Sequence, residues 1–410
     1  MTEAVYSAAV RASNPRAGNR IVHGDAIIFS IFLIFTGAAI FAGLALYARQ
    51  SMLLAYILLG CLAGPWGLGL VTDATTIQGI GHVGIIFLLF LLGLNLHPQK
   101  LIRMLREALQ VTILSSLAFA LVGGTIAWLF GFVAFECVLI GAVMMFSSTI
   151  IGLKLLPTTA LHHRHAGEII ISVLLLQDII ALMILLLLEG MRREILPFQE
   201  AVVLTLSLPA LVGFAYAAER FVLIRLIKRF DTIQEYVFLT AIGWCLGVAQ
   251  LGYVMGLSYE MGAFIAGVTL ATSPIATFIA ERLKPLRDFF LIMFFFSLGA
   301  GFALPMLSQI AVPAAVLAVA MLVLKPLVFQ HLLVREQEPP SLSREIGVRL
   351  GQVSEFSLLI AVLALNAGAI GERASHLIQA TTLLTFIVSS YVVMLHYPTP
   401  IAVDERLRRD

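Results

Sequence analysis

The sequence predicts an all-α polytopic membrane protein with about thirteen transmembrane helices. Two features of composition and one of pattern predict it. Hydrophobic residues fill 60% of 410 positions, and charged residues only 12%, against about 25% in a soluble domain. Windows of about 19 apolar residues, long enough to cross a bilayer, recur along almost the whole chain. The near-zero net charge of +2 offers no surface for nucleic acid.

Residues 1–26 form a polar N-terminal tail without a secretory apolar region, so the first span must direct insertion itself. The expected spans are 27–47, 52–71, 79–97, 108–131, 134–156, 167–188, 199–219, 232–253, 259–279, 287–305, 309–332, 345–368 and 375–397, followed by a short tail, 398–410. An odd count puts the termini on opposite sides. With the C-terminus cytoplasmic, nineteen Lys and Arg fall in inside loops and six outside, which the positive-inside rule favours. Cys61, Cys137 and Cys245 are far apart in apolar segments and match neither a metal site nor a disulfide framework.

The chain carries a faint internal repeat. An offset of 206 residues places Leu92-Gly93 on Leu298-Gly299, and Ser147-Ser148-Thr149 on Val353-Ser354-Glu355. Spans seven apart run in opposite directions, so such a repeat is inverted. Interrupted spans at matching positions of two halves point to a binding site between them.

The chemistry centres on Gln177-Asp178, inside the apolar run Ile169–Leu188. A carboxylate at that depth is costly, by roughly 2.5–3.5 kcal/mol or more, and marks an ion or proton path. Ser147, Ser148 and Thr149 interrupt the fifth span, where hydroxyls and freed carbonyls become hard oxygen ligands for a small cation. Gln352, Ser354 and Glu355 interrupt the twelfth, and Glu355 is either a structural acid or a transport group. Lys325, before Pro326, either snorkels to the interface or needs an internal partner such as Asp178 or Glu355; because pairing with Asp178 would leave a neutral empty site, it is placed nearer Glu355 or the helix-break carbonyls. His162, His163 and His165, in a loop between spans five and six, are either solvated or pH-sensing. Asp178 is the sole aspartate deep in a span, and no G-x-S-x-G or H-E-x-x-H pattern lies in one, so an intramembrane hydrolase is not expected.

Eight stretches in order carry a resemblance: 55–70, 81–96, 146–156, 175–181, 261–274, 286–299, 324–328 and 351–357. They include FSSTIIGLKLL, LLQDIIA, LKPLV and GQVSEFS. The chain resembles the transmembrane domain of the monovalent cation:proton antiporter-2 family, which includes Kef-type potassium efflux systems and NapA-like antiporters. The resemblance implies an NhaA/NapA-like fold with an inverted repeat in which two broken helices cross beside Asp178. It implies core helices at about 108–188 and 309–397, scaffold and dimer helices at about 27–97 and 199–305, and a homodimer with an elevator motion. It aligns Asp178 with the ion-binding aspartate, Lys325 with the family lysine, and Glu355 with the glutamate of G-Q-x-x-E-F. Gln177 stands where some members carry a second aspartate and Kef-like members carry glutamine. Val353-Ser354 departs from the usual small-residue pair.

The expectation is therefore a secondary active K+ or Na+/proton antiporter, electroneutral, with H+ and the cation competing for Asp178. Its binding residues are expected to be Asp178, Gln177, Ser148 and Thr149, with Lys325 and Glu355 as supporting charges and Ser147, Gln352 and Ser354 at the breaks. The alternatives are a Kef-like efflux channel or a sodium-coupled anion symporter on a related fold. The protein is not expected to be an enzyme or to hold a cofactor, and is placed in a bacterial-type inner membrane. No strand with a G-x-G-x-x-G turn occurs, so the Kef nucleotide-binding domain is expected to be absent.

Overall fold

The computed structural model describes residues 15–48, 50–71, 74–95, 98–148, 161–191, 198–230, 233–273 and 276–397. Thr149 and the tail 398–410 lie outside them. Among the described residues all regular structure is helical. The first helices are α1 (Pro15–Tyr47), α2 (Met52–Ala63), α3 (Ala74–Asn95), α4 (Pro98–Leu129) and α5 (Ala134–Met144). Then come α6 (Leu161–Met191) and α7 (Phe198–Ala218), which continues through a widened π turn (Glu219–Leu223) to Arg229. They are followed by α8 (Gln234–Val254), α9 (Tyr259–Ala271), α10 (Ala276–Arg282) and α11 (Lys284–Ala300). The last four are α12 (Leu307–Arg335), α13 (Pro340–Arg349), α14 (Glu355–Asn366) and α15 (Glu372–His396).

Several expected boundaries move: α2 ends at Ala63 instead of 71, α4 starts at Pro98 instead of 108, and four further changes occur. Helix α1 starts at Pro15, so its first turns occupy part of the segment expected to be a polar tail; Pro at the first position suits a helix start. Helix α6 starts at Leu161, which puts His162, His163 and His165 in helical turns instead of a loop. The span 259–279 divides into α9 and α10. The span 345–368 divides into α13 and α14 around a non-helical stretch, and α13 begins at Pro340, again with proline in the first turn.

Among the described residues, five segments are long and apolar enough to cross a membrane: Ile28–Tyr47, Leu109–Leu129, Gln234–Val254, Leu304–Arg335 and Glu372–His396. Helix α12 shows how such a helix meets two environments. Val312, Val316, Val319, Val323 and Leu327 form an exposed apolar stripe at helical spacing, as a lipid-facing surface requires. Ile310, Leu317, Met321, Lys325 and Phe329 form the opposite, buried stripe.

Buried side chains gather in two large groups. One joins α4, α5, α6 and α12–α15, with Phe119, Ile140, Val173, Met321, Ile346, Ile360 and Ile378 at its centre. The other joins α3 and α7–α11 through Phe90, Leu211, Val248, Ala266, Ile279 and Phe290. A smaller cluster lies between them, bringing Ile57, Leu89 and Phe295 against Leu358, Leu359 and Phe386.

Glycines let helices cross at backbone contact. A Cβ on Gly267 of α9 would overlap the Phe90 carbonyl of α3 and approach the Leu94 nitrogen at 2.8 Å. A Cβ on Gly299 of α11 would likewise overlap the Ile57 carbonyl of α2. Small residues at membrane helix interfaces serve this close approach. Gly267→Ala is therefore expected to destabilise by about 1–3 kcal/mol through overpacking. Gly243→Ala, which meets no atom within 4 Å, is expected to be neutral or to raise the unfolding midpoint through helix propensity. Thermal unfolding of the two purified variants checks both signs.

Candidate functional site

Inside an apolar medium a broken helix exposes carbonyls and amides that only the protein can satisfy. Helix α5 ends at Met144, and Met145–Ser148 continue without helical structure. Helix α13 ends at Arg349, and Leu350–Ser354 lead into α14. The two breaks meet. Ser147 Oγ donates to the Leu350 carbonyl at 2.9 Å, and Gln352 Nε2 donates to the Ser148 carbonyl at 3.3 Å and to the Arg349 carbonyl at 2.9 Å. Ser357 Oγ of α14 donates to the Val143 carbonyl of α5 at 2.6 Å.

Side chains from three other helices complete this crossing. Gln177 of α6, 1% exposed, accepts from the Ser147 amide at 2.8 Å and donates to the Met145 carbonyl at 3.0 Å. Both ends of its amide are thus bonded to the first break. Lys325 of α12 is completely buried, which removes the snorkelling reading. Its Nζ donates to the Phe146 carbonyl at 2.6 Å, the Gln352 carbonyl at 3.0 Å and Ser147 Oγ at 3.3 Å, below the Phe119 ring at 5.3 Å. The ammonium therefore sits among the oxygens of both breaks, near the negative ends of α5 and α13, where a cation is favoured. Among the described residues Lys325 makes no ion pair, and the carboxylate partner considered for it is not there.

Helix α15 supplies the third group, which the sequence reading missed. Thr385 Oγ1 accepts from the Val353 amide at 3.1 Å, and Ser389 Oγ donates to Gln352 Oε1 at 2.9 Å. The signal was present as QATTLLTFIVSS, a run of hydroxyls inside an apolar span. It lacked a charge to draw attention. Arg349 was also missed: fully buried, it pairs with Glu345 at 2.9 Å one helical turn earlier.

Asp178 stands apart from this network. It follows Gln177 on α6, is 8% exposed, and makes no hydrogen bond or ion pair among the described residues. Glu355 is the first residue of α14, where the helix dipole favours an acid, and Ser354 caps that helix by accepting from the Phe356 amide at 3.1 Å. Ser148 is fully buried. The structure thus brings Ser147, Ser148, Gln177, Lys325, Gln352 and Ser354 into one crossing. Thr149 lies outside the described residues.

The geometry gives Lys325 a structural duty that can be checked. Lys325→Met removes the donor from Ser147 Oγ, which keeps its bond to Leu350, and from the two buried carbonyls of Phe146 and Gln352, each of which costs about 1–3 kcal/mol when orphaned. The unfolding midpoint is expected to fall by several degrees. Thr385→Val, which removes one acceptor from one amide, is expected to cost less. Differential scanning fluorimetry on both variants measures the order.

With this geometry in view, comparisons with known proteins are consistent in one direction. The family model described as sodium/hydrogen exchanger, transmembrane, matches residues 30–395. The chain is 26% identical over 349 residues to the iron transporter MagA of Paramagnetospirillum magneticum, covering 84% of this chain and 79% of that protein. It is 30% identical over 340 residues to the glutathione-regulated potassium-efflux system protein KefC of Klebsiella pneumoniae, covering 81% of this chain and 54% of that one. It is 30% identical over 363 residues to K(+) efflux antiporter 4 of Arabidopsis thaliana, covering 85% and 60%. The chain therefore spans little more than half the length of these last two relatives. The solved structure of the sodium proton antiporter MjNhaP1 from Methanocaldococcus jannaschii has the same fold, with a TM-score of 0.62 over 90% of this chain and 95% of that one at 16% identity. The protein is an integral membrane protein that belongs to the sodium/hydrogen exchanger family.

Proposed function

We propose that this protein is a secondary active antiporter that exchanges K+ or Na+ for H+, with proton and cation competing for Asp178. The observation that carries this reading is the contrast between two neighbours. Gln177 is bonded at both ends to the first break, whereas Asp178 beside it has a buried carboxyl that makes no hydrogen bond or ion pair among the described residues. An ionised carboxylate in that setting must be neutralised before it moves through an apolar barrier. A proton does this, and so does one alkali cation. Only loaded states then cross, which couples the two fluxes.

The placement of Lys325 supports an electroneutral cycle. With the ammonium held by break oxygens, the site exchanges one charge for one charge, and Gln177 adds none. Ser148 and Thr149 are proposed to extend the oxygen set, and Gln177 to serve it by holding the break in shape. Glu355 is proposed as a supporting charge.

The separate buried clusters support an elevator in which α4–α6 and α12–α15 move against a scaffold of α1–α3 and α7–α11, the scaffold holding a homodimer. The glycine crossings support the inverted repeat. Gly60 meets Gly299 and Gly93 meets Gly267, pairs exchanged by offsets of 206 residues from 93 to 299 and 207 from 60 to 267. Thirteen spans with a cytoplasmic C-terminus in an inner membrane remain the topology that the loop charges favour.

The Kef-like glutamine and the potassium-efflux relatives favour K+ over Na+. Iron, named for one relative, is disfavoured: among the described residues no group of three or more His, Cys, Asp or Glu side chains gathers. Asp178→Asn is expected to abolish cation-driven dequenching of a pH dye in proteoliposomes while leaving the unfolding midpoint near wild type. Exchange by the amide variant at the wild-type rate contradicts the assignment. For the stoichiometry, an imposed voltage without ion gradients is expected to drive no proton movement, and a sustained voltage-driven flux contradicts electroneutrality.

A further inference from the structure

Hydroxyls inside membrane helices ordinarily bond a carbonyl three or four residues back. Helix α4 follows this twice: Thr125 Oγ1 donates to the Leu121 carbonyl at 2.7 Å, and Ser115 Oγ to the Thr112 carbonyl at 3.1 Å. Thr112 and Ser116 break the rule. They are 1% and 4% exposed, and among the described residues neither hydroxyl oxygen has a hydrogen-bond partner. Leaving such a group dry costs about 1–3 kcal/mol.

Their position is also specific. Thr112, Ser115, Ser116 and Phe119 stand at helical spacings of three and four, so they share one face of α4. That face ends at the Phe119 ring, 5.3 Å from Lys325 Nζ and 5.3 Å from the Phe329 ring in an edge contact. Phe119 is completely buried, so the row points into the helix group that contains the crossing. Helices α6 and α12, which carry Asp178 and Lys325, both pack against α4.

We propose that this row of hydroxyls binds a file of ordered water that carries protons between the cytoplasmic end of α4 and the helix crossing. Thr112 and Ser116 rise about 6 Å apart along the helix, a gap that one water bridges by accepting from one hydroxyl and donating to the other. A hydroxyl can accept a hydrogen bond from one water as it donates to the next. A proton entering at Thr112 therefore releases an equivalent proton beyond Ser116, and both side chains end neutral and unchanged. The aromatic pair Phe119–Phe329 marks the inner end of the row, where α4 packs against the helices that carry Asp178 and Lys325. This inference rests on the antiport reading and adds the groups that deliver one of its two substrates.

The test replaces the hydroxyls without changing shape. Thr112→Val and Ser116→Ala, singly and together, are compared with Thr112→Ser and Ser116→Thr, which keep a hydroxyl. Exchange is measured in proteoliposomes across a cation titration. The double hydroxyl deletion is expected to lower the maximal rate about tenfold with an unchanged cation KM, and the hydroxyl-retaining pair to restore it. A wild-type maximal rate in the deletion overturns the proposal, as does a loss that the hydroxyl-retaining pair fails to restore, since that is a packing effect. If the double variant does not fold, Ser116→Ala alone carries the same comparison. Asp178→Asn, run alongside, separates the two readings. Exchange that survives in it defeats the antiport assignment, whereas its loss together with full activity of the hydroxyl deletion defeats the water file alone.

Discussion

The arrangement depends on one constraint: backbone that leaves a helix inside an apolar slab must find its partners within the protein, because an unsatisfied peptide group there costs several kcal/mol. The crossing of two breaks concentrates this demand. Gln177, Gln352 and Lys325 answer it with amides and an ammonium, and Thr385 and Ser389 answer it with hydroxyls. The residue types follow from the groups to be met. Gln carries donor and acceptor on one end and can bind an amide and a carbonyl together. Lys carries three donors and suits a cluster of oxygens.

On the proposed function, the same constraint separates a structural role for Gln177 from a transport role for Asp178 beside it. Had Lys325 paired with Asp178, the empty site would be neutral and free to move without cargo. Instead its charge is directed at carbonyls, so on the proposed mechanism the charge on Asp178 remains to be cancelled by a bound proton or cation. A penalty of about 3 kcal/mol on moving the ionised acid slows an unloaded crossing by more than a hundredfold. On the proposed mechanism, that is sufficient to make exchange dominate over leak.

Much of this was legible in the chain, for physical reasons that vary by residue. Asp178 announced itself because a charge in an apolar run has few innocent explanations. The helices were legible from apolar windows, and the break between α13 and α14 from Gln352, Ser354 and Glu355 inside one of them, whereas the division of 259–279 into α9 and α10 was not read. The partner of Lys325 was undecidable from spacing, since acids and carbonyls both satisfy an ammonium and only three-dimensional placement chooses. Thr385 and Ser389 were missed because hydroxyls are common in membrane helices and usually bond their own backbone. Their role appears only when the opposing break is seen.

The central claim is that one carboxyl holds either a proton or a cation and never both. Calorimetric titration of the detergent-solubilised protein with K+ and Na+, in two buffers of different ionisation enthalpy, counts the protons released as a cation binds. At a pH where Asp178 is protonated the account predicts close to one proton released per cation bound. Cation binding that releases no proton contradicts it.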